Sequence, residues 1–413
     1  MKKGTFAGVA AVWALVSGAA VEIADGVQVS RDAETDRITV SYSVVATEGE
    51  SEGIVTAKLL DKDGVELPGA LAKSSGDAFR RVKTGVALSF SWLGDATLQE
   101  GSLAGASVKL SAWDVTAPPD YMVVDLAAVK DVSYYEHAGQ VPGGVKDMAY
   151  LRNKLLMRKI PAAGVKWNRG SATAIEYSGE HGQQEVTLTD DYYMGVFEVT
   201  QWQYWMIDHA MTGANPKGFE TGGDPSARTL PVQTVNFGQI RGSDDDIAES
   251  SWLGLIRART GLPLDLPTQA QWEYACRAGT SGATYGPLSS IAVYTGAARP
   301  APGGSKLPNN WGLYDTIGNM FEFCLDWIDP EAHLHTEPET NPTGPTAYID
   351  FDARCKELGV QGFQGGRGNA GRMWCGGCFS YGATYANATM PYGWGKLGTS
   401  ANVQGFRVCC VIK

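Results

Sequence analysis

The first 275 residues of this 413-residue chain contain no cysteine. Whatever folds there does so without a disulfide, which excludes a β-sandwich stapled between its sheets in the antibody manner. All seven cysteines, Cys276, Cys324, Cys355, Cys375, Cys378, Cys409 and Cys410, lie beyond that point, and an odd number cannot all pair within one chain. Basic residues are scarce as well: 34 Lys and Arg stand against 45 Asp and Glu, without a basic run, for a formal net charge of -11. Nucleic-acid binding needs a cationic footprint that displaces condensed counterions, so that class is disfavoured. No stretch reaches the ~20 apolar residues of a bilayer-spanning helix, so no transmembrane segment is expected. Histidine is limited to His137, His181, His209, His333 and His335. Nothing nominates a strained nucleophile turn for a Ser-His-Asp site.

What is present is glycine, 51 residues of it, and a hydrophobic content of 44%. The first implies much backbone in loops and turns, the second real cores. Lys2 and Lys3, the apolar run Phe6 to Val16 and the small residues Gly18-Ala19-Ala20 read as a signal peptide over 1–20. A buried first strand is the alternative. An exported protein is expected, periplasmic, at the cell surface or secreted.

Residues 21–117 show the alternation of half-buried strands, as in Arg37 to Val44, Val86 to Trp92 and Ala106 to Trp113. Asp61-Lys62-Asp63-Gly64 is a hairpin-turn candidate. This pattern predicts an immunoglobulin-like sandwich serving as a spacer or adhesion module. Pro118-Pro119 breaks it, and 118–150 is expected to be a linker and crossing segment. A second domain is expected over 151–413, with strands at 185–188 and 193–200 and helices over 201–209, 251–260 and from Thr268 to Arg277. The whole is α+β.

Within that second domain, Trp311 to Asp329 is the most informative stretch. Asp315 and Glu322 bracket a tight Gly-Asn turn whose carbonyls at Gly318 and Met320 can converge with them, an oxygen set suited to structural Ca²⁺. Cys375-Gly-Gly-Cys378 has redox or zinc spacing, but its flanks look extended rather than helical, so buried thiols or a structural disulfide is the preferred reading.

Five blocks in order carry a family resemblance: Tyr193 to Tyr204, Pro231-Val-Gln-Thr-Val-Asn236, Leu266-Pro-Thr-Gln-Ala-Gln-Trp-Glu-Tyr-Ala-Cys-Arg-Ala-Gly279, the 311–329 stretch, and Gly405-Phe-Arg-Val408. Together they resemble the formylglycine-generating enzyme (sulfatase-modifying factor) family. The resemblance implies a C-type lectin-like fold with much irregular structure. It also implies Ca²⁺ on Asp315, Gly318, Met320 and Glu322. The family's copper enzymes place two cysteines after a Gly-Gly-Ser. Aligning Gly376-Gly377 puts Tyr381 and Ala386 on those positions and Cys378 on the serine. Soft thiolates suit Cu(I), and neither replacement supplies one, so copper is not expected and catalysis is disfavoured.

In place of the family's arginines, residues 378–404 offer Tyr, Ser, Gly, Asn and Trp, the vocabulary of binding loops. The expected ligand-binding residues are Phe379, Ser380, Tyr381, Tyr385, Asn387, Tyr392 and Trp394. The same region resembles the diversified segment of the variable proteins of diversity-generating retroelements. The expected partner is a protein, a peptide or a glycan. The alternative is an oxidase acting on an exported protein cysteine, with Cys378 as its surviving thiol.

Overall fold

A computed structural model of the chain describes residues 12–15, 20–46, 49, 51–93, 105–208, 227–242, 246–360, 371–392 and 401–413. Trp394, expected at the binding surface, lies outside them. The described strands are many and the helices few and short, an α+β composition. The chain divides into two compact units. One comprises Met1–Val123, Val132–Asp147 and Ile412–Lys413; the other comprises Val124–Asp131 and Met148–Val411. The segment expected to link two domains is thus shared between them, and it carries strands of its own at Tyr121–Asp125 and Val132–Tyr135.

The first unit is built on two sheets. One runs in the order Val12–Leu15, Ser107–Trp113, Glu52–Leu60, Arg80–Lys83; the other in the order Val21–Ile23, Arg37–Ala46, Ala87–Leu93, Ser75–Gly76, with Gln28–Arg31 also on Arg37–Ala46. Alternate residues of Arg37–Ala46 (Ile38, Val40, Tyr42, Val44) and of Ala87–Leu93 (Leu88, Phe90, Trp92) are buried, as a strand period of two requires. Glu52–Leu60 departs from that alternation, being buried on both faces. The returning segment 132–147 explains it: Thr56 donates to Glu136 at 2.7 Å, and Lys58 pairs with the same carboxylate. Val12–Leu15 pairs in parallel with Val108–Ser111, so part of the expected signal peptide forms a strand. The 61–64 turn closes with Gly64 N–H on the Asp61 carbonyl at 3.0 Å.

In the second unit, Lys154–Ile160, Tyr192–Gly195 and Cys409–Val411 pair antiparallel in that order. Lys166–Arg169 pairs with Gln184–Thr187, which carries Glu339–Thr340 on its other side. A third sheet places Phe321–Trp327 between Arg372–Cys375 and Gln404–Gly405.

Helices start where side chains satisfy the first free N–H groups. Thr200, paired with Gln203, caps Gln201–Ile207; Thr268, paired with Gln271, caps Gln269–Arg277; Ser251 caps Trp252–Thr260. Gly261, at φ 73°, ends the last of these in a conformation that costs glycine little. The strand expected over 193–200 ends at Gly195, because the chain then turns inward to bury Glu198. Among the described residues, no helix is long and apolar enough to cross a membrane.

Candidate functional site

The turn between Tyr314 and Phe321 forms the foundation. Asp315 and Asn319 hold positive φ, 56° and 61°, and Gly318 sits at 80°, so the backbone coils tightly. Asp315 Oδ2 accepts the Gly304 N–H at 2.7 Å; Glu198 accepts the Met320 N–H at 2.9 Å and the Asn319 side-chain amide at 2.6 Å. Beneath the turn, Glu322 lies fully buried between two donors. Arg407 Nη2 donates to its Oε1 at 2.7 Å, and Trp272 Nε1 donates to its Oε2 at 2.7 Å. Arg407 also donates to the Gly195 and Tyr314 carbonyls, each at 2.7 Å. One guanidinium therefore joins the Tyr193–Tyr204 block, the 311–329 block and the closing Gly405–Val408 block, and Glu322 adds Trp272 of the Leu266–Gly279 block. Burial, with Asp315 and Glu322 nearby, pushes the Glu198 carboxyl well above the ordinary range.

The four residues expected to hold calcium are brought together in one turn, where the Glu322 carboxylate is already engaged. Calcium needs hard oxygens free to turn toward one point. Both Glu322 oxygens already accept from Arg407 and Trp272, and the guanidinium neutralises that carboxylate. The turn is held by an ion pair and an indole.

What rests on this foundation is the segment expected to bind. The Gly318 N–H donates to the Gly376 carbonyl at 2.8 Å, and the Phe379 N–H to the Asn319 carbonyl at 2.8 Å, so the turn fixes where the segment starts. Gly376 and Gly377 hold φ of 90° and 81°; a Cβ on Gly377 would meet the Tyr385 carbonyl oxygen at 2.6 Å. Only glycine allows the chain to double back there. Trp374 and Tyr392 then exchange backbone hydrogen bonds at 2.6 and 2.7 Å, closing the segment into a loop.

Inside the loop, Tyr381, Tyr385 and Tyr392 meet pairwise edge-on with centroids 5.5 Å apart. Phe321 forms their floor, stacked on Tyr392 at 5.1 Å and edge-on to Tyr381 at 5.4 Å. Thr295 pins the Tyr381 carbonyl through its N–H at 2.9 Å and its hydroxyl at 3.1 Å.

The expected binding residues therefore separate by role. Ser380 is exposed, and Tyr381 and Tyr385 are half-buried. Phe379 and Tyr392 are buried and serve as anchors. Asn387 is half-buried and committed to its own turn: its Oδ1 accepts from the Thr389 and Met390 N–H groups at 2.9 and 2.7 Å. Sequence reading missed Phe321, Trp374 and Thr295. Two of them stand in strands whose aromatic content was visible, but which surface they would floor was not.

The thiol chemistry is inward-facing. All seven cysteines are buried. Cys378, the thiol nearest the family's catalytic position, has its pKa raised by burial and lies 3.6 Å from the Ser380 hydroxyl. A thiol so placed is a poor nucleophile and a poor metal ligand. Tyr381 is half-buried and Ala386 buried, so the two copper positions offer a phenol and a methyl group. His333 and His335 are occupied locally: His333 Nδ1 accepts the Tyr177 N–H, and His335 lies 3.3 Å from Asp329.

Comparison with known proteins agrees with the block pattern. The family model described as sulfatase-modifying factor enzyme 1-like domain matches residues 160–412. The formylglycine-generating enzyme of Mus musculus is 27% identical over 271 residues, 54% of this chain and 70% of that enzyme. The one from Streptomyces coelicolor is 32% identical over 124 residues, 23% of this chain and 39% of that enzyme. Among solved structures, Treponema denticola variable protein 1 superposes with a TM-score of 0.47 at 21% identity, over 62% of this chain and 95% of its own.

Proposed function

This chain belongs to the family of sulfatase-modifying factor enzyme 1-like domains, and we propose that it uses that domain to bind a ligand rather than to oxidise one. The observation that carries the reading is the Tyr381–Tyr385–Tyr392 cluster floored by Phe321, standing where the family resemblance expects a copper-binding thiol pair. Rigid aromatics with small polar neighbours make contact area at low entropic cost, which is how binding loops work. Half-buried Tyr381 and Tyr385 beside the exposed Ser380 suit a protein, peptide or glycan surface.

Two assays divide the readings. Copper loading followed by formylglycine formation on a Cys-x-Pro-x-Arg peptide is expected to give no turnover; turnover would overturn the proposal in favour of an oxidase. Screening the full chain on glycan and peptide arrays is expected to give hits that Tyr381→Ala weakens about tenfold, the ~1.4 kcal/mol of one lost aromatic contact. Hits insensitive to Tyr381→Ala and Tyr385→Ala would move the site elsewhere.

Phe379, Ser380, Tyr381, Tyr385 and Asn387 are residue types that mutagenesis of asparagine codons can produce, and this supports a retroelement-diversified segment. Flanking DNA carrying a reverse transcriptase and a near-repeat of the codons for 375–407 is the test. Export rests on the basic and apolar pattern of residues 1–20, with the all-β unit read as an immunoglobulin-like spacer. N-terminal sequencing of the mature protein checks it, and a start at Met1 would favour the strand reading of Val12–Leu15.

A further inference from the structure

We propose that Cys324 and Cys375 form a buried cross-strand disulfide that locks the base of the binding loop. Their sulfurs lie 3.7 Å apart, in contact but unbonded, and both residues are fully enclosed. Cys324 stands in Phe321–Trp327, the strand that leaves the Glu322 turn; Cys375 ends Arg372–Cys375, the strand that enters Gly376-Gly377. The two strands are antiparallel, with Glu322 opposite Cys375 and Phe323 opposite Trp374, which makes the cysteines diagonal neighbours on one face. Beyond Phe323 the register breaks before Trp327 resumes pairing with Arg372. That irregularity leaves the Cys324 backbone room for the small shift that brings two touching sulfurs to the ~2.05 Å of a bond.

The surroundings decide when the bond forms. Trp272, Cys276, Ile317, Ile328 and Met373 belong to the same apolar cluster. Burial pushes both thiols up, Cys324 well above the ordinary range. A folded, protonated pair exchanges slowly, because the thiolate is the nucleophile. The bond therefore forms while the chain is still folding. One cysteine, as thiolate, attacks a small-molecule disulfide and releases one of its thiols. The second cysteine, giving up its proton, attacks the resulting mixed disulfide and releases the other. Two cysteine thiols are oxidised, one external disulfide is reduced to two thiols, and the protons balance. The cross-link spans 51 positions of sequence, so it constrains the unfolded chain strongly.

The position of the bond gives it a consequence for the loop. It ties the strand bearing the Phe321 floor to the strand that launches residues 376–392. The inference stands on the sulfur geometry and does not require the ligand-binding reading.

The test is to refold the full chain in a buffer of oxidised and reduced glutathione, quench, alkylate under denaturing conditions and map the peptides. Five alkylated cysteines, a mass lower by two hydrogens in the unalkylated protein, and a peptide pair joining Cys324 to Cys375 are expected. The same pair is expected in the Cys378→Ser variant, and reduction is expected to lower the thermal midpoint. Seven alkylated cysteines, or a bond joining Cys375 to Cys378 or any other pair, would overturn the proposal.

Discussion

Removing Arg407 tests how the site is built. The side chain is fully buried and donates to the Glu322 carboxylate and to the Gly195 and Tyr314 carbonyls. Burial alone would lower its pKa, but Glu322 outweighs that, so the group stays charged. In Arg407→Met the aliphatic volume remains while Glu322 is left buried without its cation, beside the Glu198 carboxyl with which it interacts unfavourably. Breaking a buried ion pair by deleting one partner costs about 3–5 kcal/mol, because the other charge stays uncompensated. For a domain of this size that corresponds to a fall in Tm on the order of 10 °C. The double variant Arg407→Met/Glu322→Gln removes the orphaned charge as well and should be less damaged than the sum of the two single variants. A coupling of about 2 kcal/mol is expected from chemical denaturation of all four proteins. A loss under about 1 kcal/mol for Arg407→Met, or additive losses in the cycle, would refute the view that this pair holds the turn.

Three further outcomes follow from named groups. Chelator should leave the Tm unchanged, since Glu322 is committed to Arg407 and Trp272; a clear fall on chelation, restored by Ca²⁺, would reinstate the ion at Asp315, Gly318, Met320 and Glu322. Burial raises the Asp326 carboxyl to about 6 from 3.8, although it accepts the Gln269 N–H at 2.7 Å. The folded state then keeps a proton that the unfolded chain has released. Its contribution to stability is greatest below about pH 4, declines as pH rises through about 6, and levels off above. At 1.36 kcal/mol per unit the decline is about 2–3 kcal/mol, and Asp326→Asn should flatten the stability–pH curve over that window. Finally, Gly377→Ala forces a side chain onto a φ of 81° and against Tyr385, and should cost about 2 kcal/mol while weakening binding; a silent substitution would mean that the loop path is wrong.

Much of this protein could be read one residue at a time. The strands at 37–46, 87–93 and 107–113 follow from alternation, because a half-buried strand admits apolar side chains on one face only. The helices behind Thr200, Ser251 and Thr268 follow from caps, which are local hydrogen bonds between residues three apart. Family membership was equally local, carried by short blocks in order.

Tertiary structure alone decided how those blocks meet. Glu322 reads as a calcium ligand within its own turn, and its ion pair became visible only because Arg407, 85 positions on, returns beneath it. Asn387 reads as a contact residue, and that it also braces its own turn shows only once its neighbours' N–H groups reach its side chain. Phe321 becomes the floor of three tyrosines because two strands and a glycine reversal bring residues 60 to 71 positions apart into one cluster. Alternation and capping are set by neighbours along the chain. Which charge a carboxylate faces, and which ring a tyrosine meets, is set by distances that exist only once the chain has closed on itself.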